Sequence, residues 1–132
     1  MMNLQAVDMD KLDEIFALRR RFMDELSKHV PNAYPQTPID LKKKQSQQHF
    51  RDLALRGVEE VFEALQHLKN TKTHRMTEIE EDVDIEAFKE EMVDAFNFFI
   101  TLLILMDVDA EDLFEAYRKK DQIIHDRIKS GY

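Results

Sequence analysis

The chain has no cysteine and no tryptophan, and only two glycines and three prolines among its 132 residues. Without cysteine there can be neither disulfides nor thiolate metal ligands, so any metal would be held by oxygen or histidine, and a reducing, cytoplasmic setting is expected. Scarce glycine and proline, with Pro31, Pro35 and Pro38 all before residue 39, argue against strands and turns and predict long uninterrupted helices. Positive charge is also in deficit. A formal net charge of −8 excludes nonspecific binding of duplex nucleic acid, which needs clustered Lys and Arg, but is no obstacle to a small phosphate ligand. Long apolar runs are missing as well. The stretch near residue 100 is too short to cross a bilayer and opens with acids, so no membrane partner is expected. The start, MMNLQAVDMDKLDE, has no apolar run of the length a signal peptide needs.

What the chain does have is helical periodicity. Leu12, Ile15, Phe16, Phe22, Met23 and Leu26 predict a helix over about 8–29. The connector PNAYPQTPID follows, with Asp40 placed to cap a second helix over about 41–68 whose apolar face is Ala54, Val58, Val61, Phe62, Leu65 and Leu68. A polar loop, NTKTHRMTEIEEDVD, leads to a third helix over about 85–106, capped by Asp84; Asp109 caps a fourth, with Glu111 and Asp112 in its first turn. The expected fold is all-α, a bundle of four to five helices forming a single domain over residues 1–132. Its core is modest for this length, so oligomerisation, most simply a homodimer, would add stability. Gly57 interrupts the second helix at a cost of about 1 kcal/mol against alanine. Either that helix is locally weak or something approaches its backbone closely.

Two carboxylate pairs share one spacing: Glu60 with Glu63, and Glu91 with Asp94. At i,i+3 each pair lies on one helix face. The second pair leads into AFNFFITLLILM, where only Asn97 and Thr101 are polar, so the third helix is expected to be buried almost all round. Projected at about 100° per residue, Glu91, Asp94, Asn97 and Thr101 form one stripe opposite Phe96, Phe99, Ile100 and Leu103. Ionised carboxylates in such surroundings survive by binding a cation or taking up a proton. Glu60 and Glu63 alone would read as a solvated face, but an antiparallel partner offering Glu91 and Asp94 makes four oxygen donors in one cavity, a set that suits Mg²⁺ or Mn²⁺.

On the fourth helix Lys120 and Arg127 interrupt the apolar stripe of Leu113, Ala116, Tyr117, Ile123 and Ile124. Cations on an inward face suggest an anion; alternatively they snorkel to solvent or pair with the acids. The loop residues Lys69, Lys72, His74 and Arg75 could close over phosphates, or belong to an ordinary solvated connector. The five histidines lack paired ligand spacing and read as non-ligands. No phosphate-cradling loop, nucleophile elbow or Cys/His pair is present, which leaves metal-assisted hydrolysis of a phosphorylated small molecule as the chemistry these residues suit.

The segments EEVFEAL, EEMVDAFNFF and EDLFEAYRKKDQIIHDRIKSGY resemble the all-α nucleoside triphosphate pyrophosphohydrolases, most closely the dimeric dUTPases and related phage dCTPase/dUTPases, and more distantly the MazG-type enzymes, over about residues 40–132. The resemblance implies Mg²⁺ held by Glu60, Glu63, Glu91 and Asp94, and attack of water on the α-phosphorus of a nucleoside triphosphate. The products are then the monophosphate and pyrophosphate. Glu60, or else Glu63, is implied as the group that orients or deprotonates the water. Lys120, Arg127 and Tyr132 match the family's C-terminal cationic pattern near the triphosphate, while Ile124 stands where the family has Asn and removes one donor. Lys69 or Lys72 resembles a further basic residue of the family. Beside the second acid pair, Asn97 could read a base edge and Phe98 could stack on it. The implied substrate is a deoxynucleoside triphosphate, dUTP first, with dCTP or another nucleotide as alternatives. A noncatalytic helical interaction protein, its acids forming salt bridges across the bundle, is the alternative outside enzymes.

Overall fold

The structure is a computed structural model that describes residues 10–35, 37 and 39–131. The protein is all-α, with four helices among the described residues: α1, Lys11–His29; α2, Lys44–Gln66; α3, Ile85–Leu105; and α4, Ala110–Lys129. Among the described residues no strand occurs, and no helix is long and apolar enough to cross a membrane. The chain divides into two compact units, one of residues up to 34 and from 103 onward, the other of residues 35–102.

In the first unit α1 packs against α4. Asp10 caps α1 by accepting a hydrogen bond from the Asp13 backbone N–H at 2.8 Å, and Phe16 and Met23, two turns apart on one face, are the helix's buried side chains. Asp109 caps α4 as the sequence predicts, within a reciprocal box: its carboxylate accepts from the Asp112 N–H at 2.8 Å, and that of Asp112 accepts from the Asp109 N–H at 3.2 Å. The Asp112 backbone N–H, above all, holds the Asp109 carboxyl below its usual range. Asp109→Ala removes the half of this box that the Asp109 carboxylate makes, leaving the Asp112 N–H without its acceptor, and a melting temperature lower by about 5 °C is expected in a thermal scan.

From Phe114 to Gly131 every residue of α4 and its cap is exposed. The inward face expected for Lys120 and Arg127 is therefore not found. Tyr117, Ile123, Ile124 and Ile128, which share the helix with these cations, are left open to solvent.

In the second unit α2 and α3 run antiparallel. Gly57 lies against Phe98 and Phe99, while ten residues further along α2 His67 reaches Glu91, so positions ascend on one helix as they descend on the other. The buried residues Leu53, Gly57 and Ala64 share one stripe of α2, and Ala95, Ile100 and Thr101 are the buried residues of α3 within this unit. Thr101 is satisfied locally, its hydroxyl donating to the Asn97 carbonyl at 2.8 Å.

Two expectations need correction here. Asp40 does not cap α2: it accepts from the Lys42 N–H at 3.1 Å, the helix starts at Lys44, and Lys43 in the cap position makes no side-chain cap hydrogen bond. Lys42, Lys43 and Lys44 place like charge at the positive end of the helix dipole, which disfavours an earlier start. Nor is α3 buried all round, since Met92, Val93, Phe96 and Phe99 are exposed, Val93 by 54% and Phe96 by 49%. Apolar side chains encircle α3, so packing on one side leaves those of another open. Asp84 does cap α3, accepting from the Ala87 N–H at 2.9 Å.

Candidate metal centre

Helical spacing puts Glu60 and Glu63 on one face of α2, and the antiparallel register brings Glu91 of α3 opposite them. Each of the three offers an oxygen such that all of these atoms lie within 4.8 Å of one another. Glu60 and Glu91 are half-buried and Glu63 is exposed. Asp94, one turn along α3 from Glu91, is exposed and lies outside this trio. Its charge nevertheless acts on Glu60.

Glu60 is the focus of the cluster's strain. Partial burial, then a hydrogen bond shared with Glu63, the charges of Glu63 and Asp94, and a hydrogen bond shared with Glu91 push its carboxyl up to about 7. Each cause disfavours the anion, and a divalent cation among the carboxylates would reverse the balance. The donor set fits a hard cation, being all carboxylate oxygen.

His67, at the C-terminal cap of α2 near Glu60 and Glu63, also reaches across to α3. Its Nε2 stands 3.8 Å from the Glu91 Oε1, both side chains about one-third exposed (34% and 30%). His67 follows Glu63 by four and Glu60 by seven, the spacing of a common helix face; its contact with Glu91 depends on the register of α3.

The remaining candidates are more scattered. Lys69, in the left-handed region at φ 73° just after α2, donates to the Glu81 carboxylate at 2.9 Å, and this partner holds the Glu81 carboxyl below its ordinary value. Lys72, His74 and Arg75 are exposed on the same loop. Asn97 and Phe98 are half-buried on α3, and the Phe98 Cβ faces Gly57. Lys120 and Arg127 belong to α4 in the other unit and are exposed. Tyr132 lies outside the described residues.

Comparison with family models, with curated proteins and with solved structures gave no match to this chain.

Proposed function

We propose that the protein is a Mg²⁺-dependent pyrophosphohydrolase of deoxynucleoside triphosphates, acting first on dUTP. The observation that carries this reading is the convergence of Glu60, Glu63 and Glu91 from two helices, with Glu60 destabilised as an anion by its neighbours. Glu60, Glu63 and Glu91 would hold the cation, Asp94 adding charge at the edge, and Mn²⁺ could replace Mg²⁺. When bound, the cation neutralises phosphate oxygens and makes water more acidic. Glu60 takes a proton from the attacking water, whose oxygen bonds to the α-phosphorus as the bond from that phosphorus to the bridging oxygen breaks. Pyrophosphate departs and the nucleoside monophosphate remains. Lys69, Lys72, Asn97, Phe98, Lys120, Arg127 and Tyr132 enter as substrate-binding residues through their residue chemistry and the family resemblance.

The reading includes a homodimer. Leu55, Val58 and Phe62 form one exposed apolar stripe on α2, and Met92, Phe96 and Phe99 another on α3; a second copy would cover them.

Incubation of pure protein and Mg²⁺ with each of the four common dNTPs and dUTP is the decisive assay. Monophosphate plus pyrophosphate is the expected product pair, with dUTP turned over fastest; preference for dCTP or another nucleotide would redirect the substrate but keep the reaction. No turnover of any nucleotide would defeat the proposal. The same exposed stripes suit a noncatalytic helical interaction protein. For that rival, replacing Glu63 and Asp94 by alanine should leave Mg²⁺ binding unchanged, whereas the enzyme loses metal affinity with its fold intact.

A further inference from the structure

We propose that Gly57 is a positioning residue for the carboxylate cluster: its missing side chain lets α3 come close enough to α2 for Glu91 to share one site with Glu60 and Glu63. This inference rests on the metal-centre reading above.

Gly57 is buried in the middle of α2, where glycine is unfavourable relative to alanine. Its backbone is helical, so no unusual dihedral angle calls for glycine. Space does. A Cβ at this position would lie 3.0 Å from the Phe99 Cε1, 3.1 Å from its Cζ and 3.2 Å from the Phe98 Cβ. The Phe99 ring is 38% exposed and can swing aside. The Phe98 Cβ is attached directly to the α3 backbone and moves only with that helix.

A methyl group at residue 57 therefore acts as a wedge. It sits three residues before Glu60, one turn away on nearly the same face, so a shift of a few tenths of an ångström in α3 reaches Glu91 relative to the α2 carboxylates. Cations differ in their tolerance of such a shift. Mg²⁺ demands near-ideal octahedral geometry at short distance, whereas Ca²⁺ accepts longer and more varied coordination. Selectivity, and not only affinity, should respond.

The test is calorimetric titration of Mg²⁺ and of Ca²⁺ into the wild-type protein, Gly57→Ala and Gly57→Ala/Phe99→Ala, with metal-free melting followed by circular dichroism. Gly57→Ala is expected to stay folded, to lose Mg²⁺ affinity on the order of tenfold, and to lose less for Ca²⁺. Removing the Phe99 ring in the double variant takes away the two shortest contacts but leaves the one to the Phe98 Cβ, so the loss of Mg²⁺ affinity should persist. A folded Gly57→Ala protein with wild-type affinities would overturn the proposal. So would collapse of its fold, because the glycine would then serve the packing of α2 as a whole. Absence of Mg²⁺ binding by the wild-type protein is a different result, which removes the metal-centre reading itself.

Discussion

Glu60→Gln is expected to move stability and catalysis in opposite directions. The substituted amide keeps the size of the carboxyl but cannot ionise, so in metal-free protein it relieves the repulsion from Glu63 and Asp94. The sign follows from linkage. The Glu60 carboxyl titrates near 7 in the folded protein against an ordinary 4.5, so its favourable contribution is fully present below pH 4.5 and is lost as pH rises through about 7. Metal-free wild-type protein should thus lose several degrees of melting temperature between about pH 5 and pH 8, while Glu60→Gln should show a flatter profile and melt higher at pH 8. His67, Glu63, Glu91 and Asp94 surround this group and remain in both proteins, so the difference between the two curves reports Glu60 together with its interactions with them. Added Mg²⁺ should raise the melting temperature of the wild-type protein at pH 8 and do so much less in the variant. Turnover falls by about 10²–10⁴-fold, the usual contribution of a positioned proton acceptor. Unchanged turnover, or a variant that melts below wild type at pH 8 without metal, would contradict the role assigned to Glu60.

The second large effect concerns assembly. Phe62 is 62% exposed on α2, and an exposed side chain in a monomer tolerates substitution with little change in stability, within about ±0.5 kcal/mol. Phe62→Glu is therefore a sharp discriminator. In a homodimer that buries this stripe, the substitution places two carboxylates in an apolar interface, and the mass measured by light scattering should fall from twice the chain mass of 15.7 kDa to that mass. Phe96→Glu on α3 should do the same. A wild-type protein that is monomeric at high concentration, or variants that remain dimeric, would remove the dimer from the proposal.

Much of the helical frame could be read from residues alone. Asp84 and Asp109 announce the starts of α3 and α4 because a carboxylate ahead of an apolar repeat has free backbone donors to satisfy, and both do so. Asp40 has the same chemistry but does not cap, since three following lysines delay the start of α2 and leave its carboxylate to a nearer N–H. The i,i+3 spacing of the acids was enough to pair them on each helix. It could not say that Glu91 would join Glu60 and Glu63 more closely than Asp94 does, because that depends on the register of two helices, fixed by contacts such as Gly57 against Phe98 and Phe99. The open sides of α3 and α4 were hidden for a related reason. Hydrophobicity indicates that a face seeks cover, not that the same chain supplies it.

The uncapped beginning of α2 has one more consequence. With three ammonium groups crowding its first amides, Lys44 is where this helix should unravel first, and hydrogen exchange there should be rapid. Glu60 and Glu63 stand in the last two turns, beyond the tight seam at Gly57. Thermal breathing at one end is thus kept several turns from the oxygens that matter at the other.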